Sequence, residues 1–128
     1  MNPLFRFAVW SNVFYVVPLT AALFLGLPFA AFALTVLIII STAFHATAEK
    51  RFSLLDTLAG GTVLALNLVL WYLGGFKIFY FLIICFLFVL AVYIRYWREH
   101  GDRESAAHGW WHLCAALATL FCILSYAT

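Results

Sequence analysis

Residues 7–48 have the sequence FAVWSNVFYVVPLTAALFLGLPFAAFALTVLIIISTAFHATA, which contains no Asp, Glu, Lys or Arg. A transmembrane helix needs about 20 mostly apolar residues to cross roughly 30 Å of hydrocarbon, so this run is long enough for two crossings. The tripeptide Gly26-Leu27-Pro28 interrupts the run near its middle. Because Pro has no amide N–H and is tolerated in the first turn of a helix, this interruption predicts a helical hairpin.

The rest of the chain continues the same pattern, with further charge-free runs over 57–76, 78–94 and 105–128. We therefore predict an all-α, multi-pass transmembrane bundle that forms a single domain over 1–128. Its five helices are expected at about 7–25, 29–48, 54–73, 77–97 and 107–126. Since no short apolar core ends in a small-residue cleavage site before the second helix, we expect the first helix to be retained rather than removed as a signal peptide.

The composition supports a protein embedded in lipid. Hydrophobic residues make up 67% of the chain and charged residues 9%, whereas a soluble domain carries roughly a quarter charged residues. The high hydrophobicity also excludes a disordered chain. A net charge of +2 without a basic face indicates that nucleic acid is not a partner.

The basic residues predict the orientation of the bundle. With five helices, one side holds Arg6, Lys50, Arg51, Arg95, Arg98 and Arg103, and the other side holds Lys77. Positively charged short loops stay in the cytoplasm, so we expect a cytoplasmic N-terminus and an external C-terminus. The expected location is a bacterial inner membrane or a plasma membrane.

Five polar residues fall at helix ends on this cytoplasmic side. Ser41 and His45 are spaced i,i+4 at the end of the second helix, His108 and His112 have the same spacing at the start of the fifth, and Asp56 opens the third. Residues with this spacing share one face of a helix. Ionisable residues at membrane depth usually face the bundle interior or a cavity. We therefore predict that these side chains converge.

Three histidines and a carboxylate at one depth indicate a metal site. Zinc binds imidazole nitrogen, and catalytic zinc sites use three protein ligands with one position left for water. The spacing of His108 and His112 supplies two ligands from one helix face, as in HExxH proteases, and His45 is the remaining histidine within a helix. We predict Asp56 as the base that activates zinc-bound water and Ser41 as a hydrogen-bond donor to the water or an oxyanion. Iron, copper and nickel suit the same ligands.

Each of these residues also has a purely structural interpretation. Histidines near a membrane interface often hydrogen-bond to headgroups or backbone, an aspartate in a first helical turn complements the helix dipole, and a serine can bond to its own helix. His100, in the polar loop over 98–107, is expected to be solvated. Cysteines 85, 114 and 122 lie in predicted helices, so we expect packing rather than disulfides.

The polar residues also resemble a known superfamily. The segments that carry the resemblance are, in chain order, Ser11-Asn12 with Pro18, Ser41-Thr-Ala-Phe-His45, Asp56 and His108-Gly-Trp-Trp-His112. They look like the CREST superfamily of membrane hydrolases, which includes alkaline ceramidases, progestin and adipoQ receptors and post-GPI-attachment phospholipases. The resemblance implies that His45, His108 and His112 bind zinc, with Asp56 and Ser41 beside the zinc-bound water.

The predicted bundle is shorter than that of the family it resembles. Family members have seven helices, and this chain has one helix between the third and the last where the family has three. Either the substrate cavity is open to lipid, or a second copy completes it in a homodimer. Small residues that would allow close helix packing are Gly60, Gly61, Ala115, Ala116 and Ala118.

Together these observations predict a zinc-dependent intramembrane hydrolase that cleaves an amide or ester bond of a lipid, in the manner of a ceramidase or phospholipase. The lipid tails would lie beside aromatic residues such as Phe79, Phe81, Phe86 and Phe88. The alternative is a membrane receptor or scaffold whose metal only joins helices. A haem carrier is disfavoured, because histidines spaced i,i+4 on one helix cannot ligate opposite faces of a haem.

Overall fold

The computed structural model describes residues 6–47, 49–98 and 106–128. Over these ranges the chain forms five helices without strands: α1 (Phe7–Phe24), α2 (Pro28–Thr47), α3 (Lys50–Leu73), α4 (Ile78–Arg98) and α5 (Ala106–Ala127). Each is long and apolar enough to cross a membrane, which confirms the predicted fold class. Three positions used above lie outside the described residues: the expected helix end at Ala48, the loop residue His100 and the charge on Arg103.

Helix α3 begins four residues earlier than predicted, at Lys50 rather than at 54. The charged residues there do not end the helix, because long basic side chains can reach water while their stems lie along an apolar surface. Asp56 consequently lies in the second turn, and the first turn of α3 holds no acidic residue. The prediction that Asp56 opens the helix was wrong. Its interpretation as a partner of the helix dipole loses support, since that effect is confined to the first turn.

Helix α1 changes its winding along its length. It is α-helical over Phe7–Trp10, a 3-10 helix over Ser11–Tyr15 and α-helical again over Val16–Phe24. Proline has no N–H to donate and its ring crowds the carbonyl four residues earlier, so Pro18 perturbs the turn directly before it. Tighter 3-10 winding accommodates this disturbance and leaves Ser11 fully buried.

Helix α5 is the centre of the bundle and packs against α1, α3 and α4, whereas α2 packs against α1 and α3. Two glycines allow the close contacts of α5. A Cβ at Gly109 would overlap the Phe7 ring of α1, and a Cβ at Gly74, after α3, would lie 2.6 Å from Ser125 Oγ. The predicted hairpin between α1 and α2 is present, with Gly26 at a φ of +67° that favours glycine.

Helices α3 and α4 are neighbours in sequence, yet within the described ranges their backbones do not approach closely, and their side chains meet near the hairpin, where the Trp71 and Phe81 ring centroids are 5.4 Å apart. Each packs on α5 instead, so a cleft separates α3 from α4 and α5 forms its floor. In the part of the chain that the structure describes, no other helix packs against both α3 and α4 on the side of this cleft that faces away from α5. Completion of this side of the cavity by a second copy in a homodimer stays a prediction.

Candidate metal centre

Three histidines converge at the end of the bundle where α2 ends and α3 and α5 begin; we call this the histidine end. His45 comes from α2, and His108 and His112 come from α5. They are 2%, 3% and 2% exposed, and one ligand nitrogen from each lies within 4.8 Å of the others. The ring centroids are 4.5 to 5.2 Å apart. The structure thus brings together the three predicted ligand residues.

The dimensions of this cluster suit a metal ion. Two nitrogens bound to one tetrahedral zinc at about 2.0–2.1 Å are roughly 3.3 Å apart, so small side-chain rotations suffice to reach that spacing from at most 4.8 Å. Among the described residues the group has three members. Three protein ligands with an open fourth position are typical of catalytic zinc sites, whereas structural sites have four.

Ser11 of α1 orients one of these imidazoles. Its Oγ donates a hydrogen bond to the Ala8 carbonyl at 3.0 Å and lies 2.7 Å from His112 Nδ1. A hydroxyl has one hydrogen to donate, so when Ser11 donates it to the Ala8 carbonyl, His112 Nδ1–H is the donor to Ser11 Oγ. The neutral ring then carries its lone pair on Nε2, the form that a metal ligand requires. Such a contact to the second ring nitrogen usually accompanies histidine ligands.

The histidine cluster borders a cavity of about 370 Å³. His108, His112, Ser41 and Asp56 all line this cavity, whereas His45 is not part of its wall. The structure therefore brings the predicted base and the predicted hydroxyl donor to the same space as two of the histidines. Tyr15 also lines it and is buried beside His112, with ring centroids 6.0 Å apart.

Away from the histidines, the cavity continues between α3 and α4 as a mostly apolar slot. Gly60 and Gly61 line it, and a Cβ at either glycine would have nothing within 4 Å. Within this chain these two glycines therefore border open space rather than a close helix contact, and close packing against a second copy stays a prediction. At the far end of the slot, Asn67 Nδ2 donates to Thr119 Oγ1 at 2.8 Å.

Of the phenylalanines expected beside lipid tails, only Phe88 lines the cavity. Phe79 and Phe86 are about two thirds exposed on the outside of the bundle. The small residues also divide between two faces of α5. Ala115 and Ala118 line the cavity, whereas Ala116 is buried in the apolar core.

Sequence reasoning gave no role in the site to two further residues of the cavity wall. Trp111 stacks on His108, with ring centroids 5.5 Å apart and an interplanar angle of 18°. Arg95 of α4 is half-buried in the wall, four residues after Ala91 and seven after Phe88. This helical spacing places Arg95 on the same face as those residues. The spacing alone did not indicate a role, because the sequence does not show which face of α4 lines a cavity.

No family model, curated protein or solved structure matches this chain.

Proposed function

We propose that this chain is a zinc-dependent hydrolase embedded in a membrane, and that it cleaves an amide or ester bond of a lipid. The observation that carries the proposal is a cluster of three buried histidines, two of which line a cavity that continues as a mostly apolar slot between two helices. A polar reaction site that continues into an apolar slot matches a substrate with a polar head and a hydrocarbon tail.

His45, His108 and His112 hold the ion in this proposal. A zinc ion bound there supplies a nucleophilic water at neutral pH and polarises a carbonyl group. Ser11 keeps His112 in the required tautomer through the hydrogen bond to Nδ1. The ring of Trp111 limits the rotation of His108 by stacking on it.

Asp56 is the only carboxylate among the described residues that line the cavity. It accepts a proton from the attacking water and returns it to the leaving group, which is the role of a general base and then of a general acid. Ser41 is 1% exposed and lines the same cavity. Its hydroxyl donates a hydrogen bond to the oxygen that becomes negatively charged in the transition state.

The first experiment counts zinc per chain in detergent-purified protein, for wild type beside His45→Ala and His112→Ala. We expect about one zinc per chain, lost in both variants, because catalytic zinc requires three protein ligands. Wild-type protein that holds no metal after purification without chelators would contradict the proposal.

The second experiment compares Asp56→Asn with wild type on lipid esters and lipid amides in proteoliposomes. Loss of a general base typically costs about 10²–10⁴-fold in rate, so we expect turnover to fall by that factor while zinc content stays constant. Glu49→Gln is the matched control, since Glu49 precedes the same helix, pairs with Arg51 and lies outside the cavity wall. Undiminished turnover by Asp56→Asn would refute its role.

The alternative is a receptor or scaffold in which the metal only joins α2 to α5. A fourth protein ligand found by spectroscopy of the zinc-loaded protein, together with no turnover of any lipid, would favour that function.

A further inference from the structure

The cavity wall changes from apolar to cationic along α4, and this change indicates the kind of lipid headgroup that fits the cavity. The face of α4 that lines the cavity presents Leu87, Phe88, Ala91 and Val92 and then Arg95. The wall is therefore apolar along this helix until its last turn, where it becomes cationic. Among the described residues that line the cavity, Arg95 is the only Lys or Arg.

The burial of Arg95 distinguishes it from other basic residues at this end of the bundle. Arg95 is half-buried, whereas Arg98 on the same helix and Lys50 and Arg51 on α3 are exposed. The position of exposed cations at a helix end is explained by their contact with the water and headgroups at the membrane surface. A guanidinium has five N–H donors, so a half-buried one in the wall of a cavity can contact a bound group as well as its partners within the chain.

The polar groups also follow an order along the bundle axis. Counted along each helix from its own terminus at the histidine end, at about 1.5 Å per residue, Arg95 lies about 4 Å along α4, and Asp56 and Gly60 lie about 9 Å and about 15 Å along α3. A cation, a general base and an apolar slot thus succeed one another with depth. A phospholipid has the same order of groups, with a phosphate, then acyl ester carbonyls, then hydrocarbon chains.

We propose that the lipid bound in this cavity carries a phosphate, which Arg95 binds while an acyl chain lies in the slot beside Gly60 and Gly61. The guanidinium matches phosphate in geometry, because its planar fork donates two parallel hydrogen bonds. The lipid reaches the cavity sideways from the bilayer, through the cleft between α3 and α4. This inference rests on the proposed function for the position of the scissile bond, which is then an acyl ester of a phospholipid.

The test measures lipid binding separately from turnover. Asp56→Asn protein in detergent is titrated with phosphatidylglycerol, and with diacylglycerol and ceramide of the same chain length, and binding is followed by native mass spectrometry. We expect the phosphate lipid to bind about tenfold or more tightly than either neutral lipid, the effect of one charge-assisted hydrogen bond. Adding Arg95→Gln should remove this preference, and Arg95→Lys should restore only part of it.

Arg98→Gln is the matched control, because it removes the same charge three residues away on an exposed side chain. Equal losses in Arg95→Gln and Arg98→Gln would overturn the proposal, since surface charge would then explain the preference. Equal binding of diacylglycerol or ceramide by the protein with Arg95 intact would overturn it as well. Competition by inorganic phosphate at millimolar concentration would identify a site for free phosphate and overturn the headgroup assignment.

A wall variant tests the position of the acyl chain without changing charge. Gly60→Leu fills the slot without meeting protein atoms near its Cβ, so it should weaken binding of long-chain phosphatidylglycerol more than that of a short-chain analogue. Equal weakening of both would overturn the placement of the chain. Binding that depends on Arg95, found with wild-type protein that hydrolyses nothing, would support this inference while refuting the proposed function. Hydrolysis of neutral lipids that is insensitive to Arg95→Gln would support the proposed function while refuting this inference.

Discussion

Replacing Ser11 by Ala isolates the contribution of α1 to metal binding. Ser11 is fully buried and its Oγ lies 2.7 Å from His112 Nδ1. When Nε2 of His112 binds an ion, the proton must stay on Nδ1, and in the Ser11→Ala variant this buried N–H has no acceptor at position 11. Leaving such a group unsatisfied costs about 1–3 kcal/mol. Without the ion the ring can adopt its other tautomer or rotate, so the cost falls mainly on the metal-bound state.

The expected result is a zinc dissociation constant raised about 10–100-fold, the usual effect of losing a partner of a metal-bound histidine. That factor corresponds to about 1.4–2.8 kcal/mol, in agreement with the cost of the unsatisfied N–H. Zinc affinity is measured by competition with a chromogenic chelator in detergent solution.

Asn12→Ala is the matched control for disturbance of the 3-10 segment. Asn12 is also buried, but its Nδ2 donates to the carbonyls of Ala8 and Val9 within α1 rather than to a histidine. It should therefore leave zinc affinity close to that of wild type. Unchanged affinity in Ser11→Ala, or equal weakening in both variants, would refute the assignment of Ser11 as the group that orients His112.

Three further predictions concern packing, metal and cavity. Gly109→Ala should lower the free energy of unfolding by about 1–3 kcal/mol, because its Cβ overlaps the Phe7 ring; thermal unfolding with Gly60→Ala as the unstrained control checks this. Removal of zinc by a chelator should lower the melting temperature of wild type, since an ion present at 100 times its dissociation constant stabilises by about 2.7 kcal/mol; His112→Ala should show no such shift. Gly60→Leu should reduce hydrolysis of long-chain lipids without reducing zinc content, as measured by product release and elemental analysis.

Several parts of the site followed from sequence patterns and others did not. The i,i+4 spacing of His108 and His112 fixes a shared helix face, and the alternation of helix direction fixes that His45 ends at the same side of the bundle. Neither pattern gives the distance between helices. The short distances between the three imidazole rings therefore became known only from the way α5 packs against its neighbours. The start of α3 was misplaced because charge was used to end a helix, although basic residues are good helix formers.

The cleft between α3 and α4 illustrates what a sequence leaves open. Gly60 and Gly61 fit a tight helix contact as well as they fit an empty space, because a missing side chain permits both. The choice depends on where α4 lies. Over Ile78–Tyr93 this helix is apolar on every side, so that part of its sequence does not select the face that packs. Only the docking of α4 on α5, rather than on α3, opens the slot and turns the face with Phe88 and Arg95 towards it.

The sequence by itself determined the number of membrane-length helices in the described part of the chain, their approximate bounds and their alternating directions along the bundle. These follow from runs of apolar residues that must satisfy their backbone hydrogen bonds within each helix when water is absent. It also determined which polar residues share an end of the bundle. The tertiary structure decided which helices touch, that Ser11 contacts His112 and that the cavity has an open side. Packing between apolar helices depends on how the side chains of two helices fit together. The sequence of one helix does not specify that fit.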